Sequence, residues 1–184
     1  MNRATVIGST AILMWSLLAF LTINSAPMPP FLLTAICFGI GGVIGLIWTA
    51  RRGFLVLRDV SWRVYVFGTV GLFGYHFLYF TAFRLGPNAA TGLIAYLWPL
   101  FIVLMSGLLP NETLRLHHVF GAVIALGGAV IIVWTTGAAG ANIAALGLAF
   151  LCALTWSSYS VLSRKLGDVP TESVAIFCLA TAVL

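Results

Sequence analysis

The residues best suited to binding chemistry lie in one stretch, Gly74 to Pro99, which joins two long apolar runs. Its polar and aromatic side chains fall near the middle of those runs: Tyr75, His76 and Tyr79 in the first, and Tyr96, Trp98 and Pro99 in the second. Phenol and imidazole groups form hydrogen bonds, and aromatic rings stack on flat apolar groups. The pattern predicts a binding site for a small amphipathic molecule, such as a zwitterion with an aromatic side chain.

Two further apolar runs carry aromatic and hydroxyl groups near their middle. These are Trp15 and Ser16 in the first run, and Trp156 and Tyr159 in the sixth. In a regular helix Tyr96 and Trp98 would point apart, but Pro99 removes a backbone hydrogen bond to residue 95 and can open that turn. We predict that these side chains converge from four helices at mid-depth.

His76 has two interpretations, because an ionisable residue at the centre of a spanning helix is costly unless it has a partner or faces a wet cavity. It either lines a polar cavity or is a hydrogen-bonded histidine in a packed core. The nearby tyrosines favour the cavity, since Tyr75 and Tyr79 share one helical face and His76 lies on the adjoining one.

Catalysis by carboxylates is not expected, because all four acidic residues lie in loops or at helix ends: Asp59, Glu112, Asp168 and Glu172. No carboxylate pair is placed to transfer protons or to bind sodium at membrane depth. Adjacent His117 and His118 point about 100° apart on a helix, which suits chelation of one metal poorly. The three cysteines, Cys37, Cys152 and Cys178, lack CxxC spacing and are interpreted as small buried packing residues. No metal or other cofactor is therefore predicted.

The elements that must position these groups are membrane-spanning helices. Hydrophobic residues make up 61% of the 184 residues and charged residues only 7%, with a mean hydropathy of +1.11. Soluble domains contain about 45–50% apolar and about 25% charged residues. The chain is therefore predicted to lie in the lipid bilayer. Its net charge of +5 comes from short loops and forms no basic face, which argues against a nucleic-acid partner.

Six complete spans and the start of a seventh are predicted, because a helix needs roughly 20 residues to cross a bilayer. The apolar runs are Ala4–Ile23, Phe31–Trp48, Val64–Phe83, Ala89–Leu109, Val119–Trp134 and Ile143–Leu162, with another from Val174. The short turn Arg84–Asn88 makes the third and fourth spans antiparallel neighbours.

The basic residues predict the orientation, because Lys and Arg are retained on the cytoplasmic side during insertion. If the helices alternate, eight of them share the side of the N-terminus: Arg3, Arg51, Arg52, Arg58, Arg63, Arg115, Arg164 and Lys165. Only Arg84 falls on the other side. The N-terminus is therefore predicted to be cytoplasmic, with short external connections such as Thr135–Asn142.

Glycines at helical spacing predict close helix packing, which replaces the hydrophobic driving force inside lipid. They occur in the second span (Gly39, Gly41, Gly42 and Gly45, with Gly41 and Gly45 at GxxxG spacing), the third (Gly68, Gly71 and Gly74) and the fifth (Gly121, Gly127 and Gly128). A second pattern is an internal echo, in which Trp15-Ser16 aligns with Trp156-Ser157 in helices of opposite predicted direction. Such an echo is typical of inverted-topology repeats.

The segment from Tyr79 to Val133 resembles the EamA-type domain of the drug/metabolite transporter superfamily. The resemblance rests on the short turn, Ala89 and Ala90, the Leu97 and Pro99 pair, the sequence Leu109–Leu114 with Glu112, and Gly121 with Gly127 and Gly128. Within that superfamily, Tyr75-His76 and Tyr96–Pro99 are most similar to the YddG-type aromatic amino-acid exporters.

The resemblance implies ten helices in two inverted five-helix repeats. Residues 1–134 would form the first repeat and residues 143–184 the start of the second, since Leu184 lies within the seventh run. We therefore expect the chain to be a truncated form of such a transporter. It further implies a multi-pass protein of the bacterial inner membrane that exports aromatic amino acids or similar metabolites by alternating access.

Two alternatives stay open at this point. The same glycine-packed helices could form a membrane scaffold or assembly subunit that transports nothing. The chain could also be an EamA-type permease for another metabolite. An enzyme is the least favoured class, because no acidic residue lies at membrane depth.

Overall fold

The computed structural model describes residues 3–110, 112–135 and 142–184. Every regular element in these ranges is helical, which confirms the all-helical prediction. The α-helices are α1 (Arg3–Ser16), α2 (Leu18–Asn24), α3 (Pro30–Arg52), α4 (Trp62–Leu85), α5 (Asn88–Ala95), α6 (Trp98–Ser106), α7 (Leu116–Thr135), α8 (Ile143–Ser163) and α9 (Ser173–Val183). Short 3₁₀ turns, Phe54–Leu57 and Arg164–Leu166, follow α3 and α8.

Five helical segments of the described residues are long and apolar enough to cross a membrane: Thr5–Asn24, Pro30–Arg52, Trp62–Leu85, Asn88–Ser106 and Ile143–Leu166. The predicted fifth span corresponds to the 20-residue α7, in which the apolar segment Leu116–Ile131 is shorter than the five segments above. Helix α9 corresponds to the predicted start of a seventh span. The predicted spans thus occur in the expected order. Residues 136–141 of the predicted connection Thr135–Asn142 lie outside the described residues.

The first span is interrupted at Leu17, and Ser16 provides the local reason. The Ser16 hydroxyl donates to the Leu13 carbonyl oxygen at 2.7 Å. The Leu17 amide donates instead to the Met14 carbonyl oxygen at 3.3 Å, three residues back. A side chain that competes for a helical carbonyl bends the helix locally. The break divides the span into α1 and α2 just beyond Trp15.

The fourth span is interrupted as the sequence predicts from Pro99. Helix α5 ends at Ala95 and α6 begins at Trp98, with Pro99 in its first turn. Between them, the Leu97 amide donates to the Ile94 carbonyl oxygen at 3.1 Å, a bond one residue shorter than in an α-helix. The break changes the direction in which Tyr96 and Trp98 project.

Helix α8 lies at the centre of the packing, against α4, α5 and α6, while α9 packs against α3 and α4. The largest buried cluster forms where α4 meets α8 and includes Tyr75, Tyr79, Phe83 and Cys152. In contrast, α1 is exposed along the length whose side chains are described. Helices α4, α8 and α9 therefore form the rigid wall on which a site can be built.

The glycines of α3 do form a helix contact, but not with the predicted Gly41–Gly45 spacing. A methyl group added at Gly45 would lie 2.8 Å from the Ala175 Cβ atom, and one at Gly42 would lie 2.6 Å from the Leu179 side chain. One at Gly41 would meet no atom of the described residues within 4 Å. The stripe that faces α9 is therefore Gly39, Gly42 and Gly45, since residues three apart share a helical face.

The predicted glycine contacts of α4 are present, whereas those of α7 are not. Gly68 lies against the Phe177 ring and Gly71 against the Tyr159 ring. A methyl group at Gly121, Gly127 or Gly128 would meet no atom within 4 Å among the described residues. Helix α7 packs against α5 and α6, but none of these three glycines is in close contact with another described helix.

Arg84, the one basic residue predicted on the external side, binds the connection between α2 and α3. Its guanidinium group donates to the Thr22 carbonyl oxygen at 3.1 Å, the Met28 carbonyl oxygen at 3.1 Å and the Ser25 hydroxyl at 2.8 Å. The planar guanidinium presents five donors, so one side chain can satisfy several acceptors. This contact fixes α2 to the end of α4 and gives a structural role to the one basic residue that is predicted on the external side.

Two ion pairs connect segments on the opposite side. Arg52 at the end of α3 lies 3.1 Å from the buried Glu172 carboxylate before α9, and Arg164 lies 3.1 Å from Glu112 before α7. Each ion pair joins two segments that alternating helices would place on the same side of the membrane. The hydrogen bonds of Arg84 likewise join segments that share the opposite side. The contacts agree with alternating helices. Which side is cytoplasmic stays a prediction from the basic residues.

Candidate functional site

A cavity of about 290 Å³ lies between the two broken spans and the α4–α8–α9 wall. Six of the ten predicted site residues line it: Trp15, Tyr75, His76, Tyr96, Trp98 and Trp156. They come from α1, α4, the α5–α6 break and α8. The structure thus brings together side chains that are up to 141 positions apart in the sequence, although binding by them stays a prediction.

Three tryptophans form one side of the cavity. Trp15 meets Trp98 and Trp156 edge to face, with ring centroids 6.2 Å and 6.1 Å apart. Trp156 in turn lies 4.8 Å from the Tyr75 ring. Trp15 and Trp156 are the two residues of the sequence echo, and they contact one another. Because Trp15 and Tyr96 are 53% and 45% exposed, the cavity is open beside them.

His76 combines both interpretations left open by the sequence. Its Nδ1 atom lies 2.9 Å from the Leu72 carbonyl oxygen, and the ring also lines the cavity. A carbonyl oxygen can only accept, so this contact requires the proton on Nδ1. In the neutral ring Nε2 is then a hydrogen-bond acceptor. The Phe38 ring, 4.6 Å away and nearly perpendicular, restricts the orientation of the imidazole.

The break at Tyr96 and Leu97 is held open by a neighbouring helix. The Ser157 hydroxyl of α8 lies 2.9 Å from the Trp98 carbonyl oxygen and 2.6 Å from the Ala153 carbonyl oxygen. The single hydroxyl proton can serve one of these acceptors at a time. The Trp98 backbone therefore lies within hydrogen-bonding distance of α8, independently of the indole side chain.

Four predicted site residues lie outside the cavity: Ser16, Tyr79, Pro99 and Tyr159. Ser16 bonds to its own helix, and Pro99 is exposed on the side of α7. Tyr79 is 1% exposed and packs one turn away in the α4–α8 cluster. Tyr159 lies behind Trp156, with ring centroids 5.5 Å apart.

Five lining residues were not predicted: Leu18, Phe38, Leu72, Val174 and Cys178. The cysteines also differ from one another, since Cys152 is buried, Cys178 is half-buried in the cavity wall and Cys37 is exposed on α3. The interpretation of Cys37 as a buried packing residue is therefore wrong. Cys37 lies on the part of α3 that faces away from α9.

The cavity has the chemistry of a binding site for a flat amphipathic molecule. Its described lining residues include none of Asp, Glu, Lys and Arg. Three indole N–H groups can donate hydrogen bonds, and the Nε2 atom of His76 can accept one. Within the described ranges, no group of three His, Cys, Asp or Glu residues could hold a metal ion. Aromatic stacking and a few hydrogen bonds are the available interactions.

Comparison with known proteins identifies relatives over the whole chain. The EamA-like transporter family matches residues 3–134. The aromatic amino acid exporter YddG of Ancylobacter novellus is 51% identical, and the match covers 100% of this chain and 66% of that protein. A solved crystal structure shares 50% identity with a TM-score of 0.77, covering 99% of this chain and 65% of the solved one. The chain thus spans slightly less than two thirds of the length of these relatives.

Proposed function

This chain belongs to the EamA-like transporter family, and from that premise we propose that the protein exports aromatic amino acids or similar small amphipathic metabolites. A relative 51% identical to the chain is named an aromatic amino acid exporter. Because the chain spans only 66% of that relative, its activity is a proposal here. We also propose that the protein lies in the bacterial inner membrane and that it is not an enzyme.

One observation supports this substrate class above others: aromatic and imidazole side chains from four spans surround a single cavity without a fixed charge. A volume of about 290 Å³ lies near the lower end of small-molecule pockets, about 300–1,000 Å³. It therefore suits one amino acid better than a large lipid or a peptide. The tryptophans offer ring faces and edges for a planar side chain.

The polar end of a zwitterion would use the hydrogen-bonding groups of the same wall. An ammonium group donates and fits the Nε2 acceptor of His76, whereas a carboxylate accepts and fits an indole N–H or a tyrosine hydroxyl. Without a fixed counter-charge these interactions hold either end weakly. Loose selectivity among aromatic and neutral amphipathic molecules follows, which suits efflux of several metabolites.

Transport requires the cavity to open alternately to the two sides of the membrane. In inverted-repeat transporters the site lies near mid-membrane and one bundle moves against the other. The two broken spans place Trp15, Tyr96 and Trp98 beside interruptions of the helical backbone. These segments are the ones we propose to move around a substrate held on the α4–α8 wall.

Cys178 provides a direct test of this proposal. In the protein expressed from its whole gene, L-tryptophan is expected to slow modification of Cys178 by a small methanethiosulfonate reagent several-fold, because both occupy the cavity. Cys37, exposed on α3 and outside the cavity, serves as the internal control. Peptide-level mass spectrometry measures both rates, and proteoliposome flux of labelled L-tryptophan is measured in parallel.

The outcomes separate the alternatives. Protection of Cys178 together with substrate flux supports the exporter. Protection without flux favours a binding subunit that transports nothing. Equal rates at Cys178 with and without L-tryptophan, L-phenylalanine and L-tyrosine, in protein that remains folded, would show that the cavity is not the aromatic amino-acid site.

A further inference from the structure

A second cavity, of about 380 Å³, lies at the end of α4, α8 and α9 that the basic residues place in the cytoplasm. It is lined by the ends of these helices and by residues 166–171 between α8 and α9. Asp168 contributes a carboxylate, and Ser163 and Thr171 contribute hydroxyl groups. Unlike the central cavity, it therefore presents a negative charge beside apolar walls.

A single layer of aromatic rings separates the two cavities. Tyr159 stacks on Phe67 with ring centroids 5.3 Å apart and an interplanar angle of 22°, and both rings line the second cavity. The Tyr159 ring also contacts Trp156, with centroids 5.5 Å apart, and Trp156 lines the central cavity. Val174 lines both cavities. The two cavities therefore adjoin through the Trp156–Tyr159 contact and share Val174 as a wall residue.

Two aromatic rings near this layer pack directly against glycines of α4. Tyr159 lies directly against Gly71, and Phe177 lies against Gly68, one turn nearer the second cavity. A side chain in place of either glycine would displace the ring, so the present position of each ring depends on the absence of a Cβ atom. The Tyr159 hydroxyl has no hydrogen bond among the described residues, so its ring is held by packing against Gly71, Phe67 and Trp156.

Asp168 is free to bind a cation. Both ion pairs of the described residues involve other acids, Glu112 and Glu172, and Asp168 is exposed at the cavity wall. A carboxylate next to stacked aromatic rings matches a molecule with an ammonium group and an aromatic side chain. That description fits an aromatic amino acid or amine, and fits a free aromatic acid poorly.

We propose that this second cavity is a cytoplasm-side binding site for aromatic amino acids and amines. This assignment of the second cavity rests on the proposed export function. Asp168 binds the ammonium group, the Phe67–Tyr159 layer contacts the aromatic ring, and displacement of Tyr159 opens the way to the central cavity.

The test uses thiol protection at both cavities of the whole protein. The thiol introduced by Ser163→Cys reports on the second cavity, and Cys178 reports on the central one. In inside-out vesicles, L-phenylalanine is expected to slow modification of both thiols several-fold, whereas 3-phenylpropanoate, which lacks the ammonium group, leaves the Ser163→Cys thiol unprotected. Adding Asp168→Asn should abolish protection at the second cavity and preserve it at Cys178. Asp59→Asn, an exposed acid outside the cavity, is the matched control.

The results distinguish this inference from the exporter proposal. Protection of Cys178 with unchanged modification of the Ser163→Cys thiol overturns the second site and leaves the exporter intact. Protection that survives Asp168→Asn, or that 3-phenylpropanoate also gives, overturns the role of the carboxylate. Protection at neither thiol contradicts the proposed function as well.

The aromatic layer has its own prediction. Tyr159→Ala should increase, several-fold, the rate at which a membrane-impermeant reagent applied from the cytoplasmic side modifies Cys178, because the side chain that blocks the path is removed. Tyr159→Phe keeps the ring and should leave that rate unchanged. An equal rate in Tyr159→Ala and the unaltered protein would show that the layer is not the barrier.

Discussion

Trp98→Ala and His76→Ala are each expected to reduce aromatic amino-acid flux by about tenfold or more while leaving the amount of folded protein near normal. A tenfold loss corresponds to about 1.4 kcal/mol, the scale of one aromatic contact or one hydrogen bond to a charged group. Both side chains line the central cavity and are only partly buried. Flux per folded molecule in proteoliposomes is the measurement.

Folding should survive these changes because the fold holds both positions through the backbone. Ser157 binds the Trp98 carbonyl oxygen, which remains after the indole is removed. Among the described residues, His76 forms a hydrogen bond only with the Leu72 carbonyl oxygen within its own helix. His76→Gln offers a carbonyl oxygen as acceptor and should therefore retain part of the activity that His76→Ala loses.

Trp134→Ala is the matched control for the loss of an indole. Trp134 is 84% exposed near the end of α7 and does not line the central cavity. Its replacement should leave flux unchanged. If Trp98→Ala and His76→Ala instead express poorly, and the surviving protein transports at the normal rate per molecule, these residues stabilise the fold and the proposed site is wrong.

The sequence allowed the helices and much of the cavity to be predicted, because polar and aromatic groups are rare at mid-membrane. His76 and the tryptophans stand out from apolar surroundings, and Pro99 reveals the break that turns Tyr96 and Trp98 toward one cavity. These signals are local to each run. They need no knowledge of which helices are neighbours.

The residues that were missed depend on neighbours that are distant in the sequence. Phe38, Val174 and Cys178 line the cavity only because α9 packs between α3 and α4. In lipid both faces of a helix are apolar, so hydrophobic periodicity does not show which face is buried. The same ambiguity placed Tyr79 in the predicted site, although it lies one turn away in the packed cluster.

The glycines of α3 show this limitation most clearly. Gly41 and Gly45 have the spacing of a packing motif, but Gly41 contacts no other helix among the described residues and Gly42 lies against Leu179. Spacing alone could not choose between the two adjacent glycines. The choice is made by the position of α9, which belongs to a part of the chain more than 120 residues away from them.

Gly45→Leu should prevent normal assembly of α3 and α9, whereas Gly41→Leu should be tolerated. A side chain at residue 45 would place its Cβ atom 2.8 Å from the Ala175 Cβ atom and 3.1 Å from the Ala175 Cα atom. The obstacle includes backbone, so no rotamer change relieves it and the helices must separate. Overpacking typically costs about 1–3 kcal/mol, and the upper end or more is expected here.

The consequences should extend to the site, because α9 carries Val174 and Cys178 into the cavity wall and begins beside Glu172, the partner of Arg52. Without a hydrophobic driving force between helices in lipid, close contact is what keeps α3 and α9 together. Thermal unfolding in detergent and the folded yield measure the effect. Gly41→Leu adds the same side chain four residues earlier, where no atom of the described residues lies within 4 Å of the added Cβ atom. Equal stability of the two variants would show that α3 and α9 do not pack through this glycine face.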